Sequence, residues 1–329
     1  MEWTGTRVLV TGAAGFIGSH LTEELVNRGA RVHAMVRYNS RNSWGHLEVL
    51  PDDAKSKLKV IAGDVRDSFF VDAAVQGVDI VFHLAALIAI PYSYAAPESY
   101  VDTNVKGTLN VLQAARRHGT SKVVHTSTSE IYGTALYTPI DENHQSQGQS
   151  PYSASKIGAD KLAESFFRSF GLPVATIRPF NTFGPRQSAR AVIPAIISQA
   201  LSRDCLELGS LSPVRDLTYV SDTVNGFIRI AEVSETVGEV INIGTGSGVT
   251  IGELAERVLS LLDMKKPIVT AEERVRPERS EVFKLICDNS KAQKLLNWQP
   301  QVSLDDGLRS VIGWMRANQD SFKSDIYNV

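Results

Sequence analysis

The sequence predicts an α/β fold, a doubly wound parallel sheet with a smaller discontinuous C-terminal lobe. Three observations predict it. Short apolar runs alternate with longer stretches of helical period. The runs are β-branched and almost continuously apolar, as strands covered on both faces must be. A glycine-rich turn joins the first run to the first helix. Such alternation builds βαβ units and hence a parallel sheet.

The strand runs come in order as RVLVTG at 7–12, RVHAMV at 31–36, KVIAGD at 59–64, DIVFHLA at 79–85, KVVHTS at 122–127 and PVATIRP at 173–179. Helical stretches at 17–28, 103–118 and 153–170 separate them. Beyond Phe180 the pattern loosens and gathers Pro, Arg and Ser, and EVINIG at 239–244 reads as one further strand. Capping-box spacing opens two late helices, TIGE from Thr250 and SLDD from Ser303. Residues 1–180, joined by roughly 217–245, are expected to form the dinucleotide-binding domain. Residues 181–216 and 246–329 are expected to form the second lobe.

Composition excludes several classes. Hydrophobic residues make up 43% of the 329, enough for a full core. A net charge of -2 argues against a general nucleic-acid or anionic-membrane binder. The two cysteines, Cys205 and Cys287, lie far apart and suit a reducing, cytoplasmic setting rather than a disulfide framework. The N-terminus lacks the pattern of a signal peptide. The longest charge-free run, 80–97, contains His83, Pro91, Tyr92 and Tyr94, and reads as a strand entering a loop rather than a membrane span. The seven histidines show no close pair at ligand spacing, so no metal is expected.

The turn VTGAAGFIGSH carries Gly12, Gly15 and Gly18, with Phe16 and Ile17 at the helix start. Glycine lets the chain reverse tightly and lets its backbone approach a pyrophosphate, which sits on the helix N-terminus. Between a first strand and a first helix this motif marks a Rossmann dinucleotide site. The second strand ends without the acid that holds an NAD ribose. It offers Arg37, Ser40 and Arg41 instead. A cation with hydroxyls suits a 2′-phosphate, so NADP is expected, with NAD as the alternative. Asp64 and Val65, after the third strand, fall where the adenine should lie.

Tyr152 and Lys156 stand four apart and so share one helix face. A nearby ammonium favours phenolate, which makes Tyr152 a base for a sugar or alcohol hydroxyl. Glu130 follows the KVVHTS strand by three residues. A charge there costs several kcal/mol unless it is paired or used, roughly.

These motifs resemble the extended short-chain dehydrogenase/reductases, in the NAD(P)-dependent sugar epimerase/dehydratase group. The resemblance spans essentially the whole chain: TGAAGFIGSHL, GDVRD, FHLAA, NVKGTLNVL, STSEIYG, YSASK, RPFNTFGPRQ, RDLTYVSD and RPERSEV. It implies a homodimer, packed through helices that contain 104–115 and 152–170, and a nucleotide-diphosphate sugar as substrate. It places Leu84, Ala85, Ala86 and Asn104 along the dinucleotide, with His83 structural beside it. Asn181 falls near the sugar or diphosphate, Arg186 and Arg190 are nearby cations, and Arg215 and Arg276 clamp the diphosphate.

Within the resemblance, Thr128, Ser129 and Glu130 match the Thr-x-Glu of 4,6-dehydratases. Those enzymes oxidise C4, eliminate water across C5 and C6, and return the hydride to C6. Glu130 is then the C5 base, and Thr128 binds O4 or the developing oxyanion. dTDP-glucose 4,6-dehydratases carry Asp at the middle position, to protonate the departing hydroxyl. Ser129 here resembles GDP-mannose 4,6-dehydratases, which leaves Glu130 to supply that proton. The apolar LIAIPYS at 87–93 leans toward an NDP-N-acetylglucosamine or GDP-mannose type of substrate. Alternatives are an NDP-sugar 4-epimerase, a UDP-glucuronate decarboxylase and a non-catalytic NADP-binding protein, which would typically lack the Tyr/Lys pair.

Overall fold

The computed structural model describes residues 2–274, 277 and 280–318. β1 (Arg7–Thr11), α1 (Phe16–Asn27), β2 (Arg31–Arg37), β3 (Lys59–Gly63) and β4 (Ile80–His83) open the chain. α2 (Gly107–His118), β5 (Lys122–Thr126), α3 (Pro151–Phe170) and β6 (Val174–Pro179) follow. Beyond them come α4 (Val192–Ser202), α5 (Val220–Glu232), β7 (Val240–Ile243), α6 (Ile251–Leu261) and α7 (Leu304–Ala317).

The seven strands form one sheet in the order β7-β6-β5-β4-β1-β2-β3. Every pairing in it is parallel. The order reverses between β1 and β4, where Thr11 lies opposite His83. Open α/β sheets bind ligands at such a switch point, beyond the C-terminal strand ends. The expected doubly wound α/β class is the one observed.

Alternation across the pleat explains how both faces are covered. Val8 and Val10 join Phe82, Val124 and Ile177 on one face, packed with Leu21 and Leu25 of α1 and Phe227 of α5. Leu9, Val81 and Val123 point to the other, against Val111 and Leu112 of α2 and Phe166 of α3. Each fully buried side chain of this size contributes about 1.5–3 kcal/mol. A third cluster builds the lobe from Ile196 of α4, Leu254 and Val258 of α6, and Leu308 and Val311 of α7.

Boundaries differ from expectation where local chemistry decides them. α3 starts two residues early because Ser150 caps it reciprocally with Ser153 and Pro151 occupies its first turn. The stretch before α2 is a π turn, Val101–Lys106, rather than regular α-helix. Thr250 and Glu253 form the full expected capping box. At α7 only half of one forms: Ser303 accepts the Asp306 N–H, and its hydroxyl donates to the Asp306 carboxylate at 2.6 Å. The charge-free run from Ile80 ends its strand at His83 and turns into a short helix, Ile90–Ala95. Among the described residues no helix is long and apolar enough to cross a membrane.

Candidate active site

The glycine turn fills the crevice at the switch point. Gly12 has φ +72°, and a Cβ there would lie 2.8 Å from the Ala85 nitrogen. A Cβ at Gly18 would lie 2.2 Å from the Gly12 carbonyl oxygen. Gly15 caps α1 without a side chain, which leaves the first N–H groups of the helix to an anion. Phe16 and Ile17, both partly buried, begin that helix. Thr11 Oγ1 accepts the N–H groups of Leu84 and Ala85, each at 3.1 Å, and so fixes the opposite wall up to Ala86. This cradle fits a dinucleotide pyrophosphate.

At the adenosine end, Arg37 closes β2 with an exposed side chain, and Ser40 is exposed in the turn beyond it. Asp64 is not idle: Arg66 donates to both its oxygens, Nη2 to Oδ2 at 2.6 Å and Nε to Oδ1 at 3.0 Å. That hydrogen-bonded guanidinium holds the carboxyl below the usual range, and Arg37 pulls the same way. Val65 is buried, and its carbonyl accepts from Asn110 Nδ2 at 2.9 Å.

Asn104 is committed within the protein. Its Oδ1 accepts the Leu87 N–H at 2.9 Å, and its Nδ2 donates to the Leu87 carbonyl and to Ser155 Oγ. With the side chain 1% exposed in its π turn, these bonds leave no donor for a dinucleotide. It braces the Leu87 loop against the helix that carries Tyr152.

Thr128, Ser129 and Glu130 leave the end of β5 in a short 3₁₀ turn, Ser129–Tyr132. Thr128 caps it by accepting the Glu130 N–H at 3.2 Å. Ser129 is buried. α3 brings Tyr152 and Lys156 to the same place. Lys156 Nζ donates to the Thr126 carbonyl at 2.6 Å, and so ties the helix to the strand that leads into the Glu130 turn. The Thr128 hydroxyl and the Glu130 charge are both close enough to perturb the Tyr152 phenol. Tyr100 packs edge-on against Tyr152 at 6.2 Å. Among the described residues the Glu130 carboxylate has neither an ion pair nor a hydrogen-bond partner.

The electrostatics depart from the expected lowered phenol. Burial pushes Tyr152 well above its ordinary value, Glu130 adds to this, and the nearby Thr128 hydroxyl opposes it. Burial also lowers Lys156 to about 8, against a raising contribution from Asp160. The ammonium is spent on Thr126 rather than on the phenol. Burial thus favours the protonated phenol.

The substrate-side residues divide. Asn181 Oδ1 is buried without a partner among the described residues, as a group awaiting a ligand donor would be. Arg190 is exposed beside Ser188, and its charge reaches Tyr100. Arg215 is buried and ion-paired with Glu281 at 3.3 Å. Arg186 is turned to α1, where it pairs with Glu23 at 2.7 Å, so it secures the lobe to the glycine-loop helix. Arg276 lies outside the described residues.

One part of the site escaped the sequence reading. Asp160, one turn past Lys156, accepts from His125, Ser127 and Arg178 in the buried interior. Arg178 also donates to the Tyr132 hydroxyl, which donates to Asn242. An acid at i+4 from Lys156 on an inward helix face was the available signal.

A parallel sheet, a glycine cradle at its switch point and a Tyr152–Lys156 pair beside it define an extended short-chain dehydrogenase/reductase. A family model described as GDP-mannose 4,6 dehydratase matches residues 9–311, and the chain belongs to that family. It is thus an enzyme of the nucleotide-sugar dehydratase and epimerase group. The dTDP-D-glucose 4,6-dehydratase of Mus musculus is 32% identical, with 97% of this chain and 91% of that protein covered. The structure of a dTDP-glucose 4,6-dehydratase from Streptomyces venezuelae, solved with NAD bound, superposes with a TM-score of 0.87. It is 31% identical, with 97% and 99% of the two chains covered. A UDP-glucuronic acid 4-epimerase from Bacillus cereus, solved with UDP-glucuronic acid and NAD, gives a TM-score of 0.85 at 28% identity, covering 94% and 99%.

Proposed function

We propose that the enzyme is a nucleotide-sugar 4,6-dehydratase, which converts an NDP-hexose to the NDP-4-keto-6-deoxyhexose. One observation carries this reading: the uncommitted carboxylate of Glu130 beside Thr128 and Tyr152. A 4-epimerase needs no such second base. A bound nicotinamide dinucleotide supplies reversible hydride acceptance. Tyr152 removes the O4 proton, Lys156 holds positive charge beside it, and Thr128 steadies O4. Once C4 is a ketone the C5 hydrogen is acidic. Glu130 takes it, then returns a proton to the departing C6 hydroxyl, with Ser129 as a hydrogen-bond relay. C6 then receives the hydride lost from C4, and C5 receives a solvent proton through Glu130, which leaves the 4-keto-6-deoxy sugar.

Arg37 and Ser40 favour the 2′-phosphate of NADP, whereas the solved relatives named above hold NAD. Binding of the two dinucleotides to Arg37→Ala separates the readings. A selective loss of NADP affinity supports NADP, and an unchanged preference for NAD supports NAD. Arg190, Arg215 and Arg276 are proposed to meet the diphosphate, with Asn181 near the sugar. The apolar 87–93 wall favours an N-acetylhexosamine or a GDP-mannose type of sugar. A homodimer through α2 and α3 and a cytoplasmic location complete the proposal. Arg116 stacks on the half-exposed Phe170 ring at 3.8 Å on that helical face.

The test is a panel of UDP-, GDP-, dTDP- and CDP-sugars, without added cofactor, read by mass. Loss of one water supports dehydration. Loss of CO2 from a glucuronate, or inversion without mass change, overturns it.

A further inference from the structure

Asp160 sits one helical turn beyond Lys156 on α3, its side chain 8% exposed. Its Oδ1 accepts from His125 Nε2 at 2.9 Å. Its Oδ2 accepts from Ser127 Oγ at 2.6 Å and Arg178 Nη2 at 3.1 Å. These partners come from β5, from the residue that follows it, and from β6. None of them touches O4, C5 or C6 in the reaction proposed above. A carboxylate so deep in the protein is costly unless its charge is used.

The charges around it show a use. α3 contributes Lys156 and the Tyr152 phenol, and β6 contributes Arg178. The turn after β5 contributes Glu130 and the Tyr132 phenol. β5 and β4 contribute His125 and His83, whose rings stack at 6.1 Å. Burial disfavours a second proton on either imidazole. His125 spends one ring nitrogen on Asp160, and its Nδ1 has no partner among the described residues, so a second proton there would be a buried orphan. His83 sits between the hydroxyls of Thr11 and Thr108, each of which can serve a neutral ring. Arg178 is ion-paired with Asp160 at 3.1 Å. Lys156, one helical turn before it, is held on the Thr126 carbonyl between the two β5-end residues, His125 and Ser127, that Asp160 binds, and its charge and that of Asp160 act on each other.

We propose that Asp160 is a positioning residue for the reaction, whose charge keeps the Lys156 ammonium protonated beside Tyr152 at working pH. The proposal rests on the reading of Tyr152 and Lys156 as the catalytic pair. Among the described residues Lys156 Nζ has a single hydrogen bond, to the Thr126 carbonyl, so little else there opposes loss of its proton. Burial alone favours the neutral amine, and Asp160 is the group that pulls the other way.

The test measures Lys156 directly and through turnover. In Asp160→Asn the alkaline limb of the kcat profile moves down by about one pH unit or more. kcat falls more than KM changes. NMR of labelled lysines, with Lys156→Arg assigning the signal, shows Lys156 titrating at correspondingly lower pH. If the bare Arg178 guanidinium prevents folding, the comparison is made in an Arg178→Gln background, where adding Asp160→Asn still lowers the Lys156 titration. A folded variant without the carboxylate, whose Lys156 titrates like its parent, overturns the proposal. The NMR signal needs no substrate. It therefore decides the role of Asp160 even if no nucleotide sugar is dehydrated, an outcome that would remove the functional reading instead.

Discussion

Glu130 is the residue on which the proposed reaction turns. A half-buried carboxylate is ordinarily neutralised by a lysine, an arginine or a backbone donor. Here Thr128 takes the Glu130 N–H and leaves the carboxylate uncommitted. Tyr152 is the opposite case, a buried phenol whose environment favours the protonated form. Removing its hydroxyl in Tyr152→Phe should lower kcat by roughly 10²–10⁴-fold while bound dinucleotide is retained, as expected for loss of a general base. Single-turnover kinetics and the absorbance of the bound cofactor check both parts. Ser129→Ala should slow turnover if its hydroxyl relays the proton to C6, and unchanged turnover removes it from the mechanism. Tyr152, Lys156 and Glu130 were legible in the sequence because each lies in a short local motif. Asp160 was not, since its partners are 18 to 35 residues away and meet only when β5 and β6 pair.

At the scale of elements, the strands were legible because a strand covered on both faces has little choice of residue. The π turn before α2 was not, because its apolar spacing reads as ordinary helix. The early start of α3 was hidden by Pro151, a residue that breaks helices in the interior but suits a first turn. α3 also sets an acid dependence. Burial raises the Asp160 pKa, but hydrogen bonding by His125 and the charges of Arg178 and Lys156 overcome it and hold the value near 2. The folded value lies below the ordinary 3.8, so this stabilisation is complete above the unfolded pKa and is lost as pH falls through the folded one. It amounts to about 2 kcal/mol. Urea unfolding followed by circular dichroism should show wild type losing stability from about pH 4 toward pH 2, with Asp160→Asn flatter across that window.

For the whole molecule, the sheet and the lobe meet at the glycine-loop helix. Glu23 of α1 holds Arg186, and His20 hydrogen-bonds the Pro185 carbonyl at 3.0 Å. The proposed dinucleotide and sugar sites therefore rest on connected elements. On the far side, Phe170 and Arg116 leave an aromatic and cationic face on α2 and α3. If that face is the dimer contact, Phe170→Glu should convert the dimer to monomer in analytical ultracentrifugation, and an unchanged sedimentation coefficient places the contact elsewhere. The lobe was the less legible half, because its short strands and cations acquire meaning only from long-range partners such as Glu281 for Arg215. The central claim, that Glu130 takes the C5 proton and water leaves C6, is tested most directly by turnover in deuterated water with the product read by mass and NMR. The account predicts a product lighter by one water and carrying solvent deuterium at C5, with its formation strongly suppressed in Glu130→Gln. A product of unchanged formula inverted at C4, or full turnover by Glu130→Gln, contradicts it.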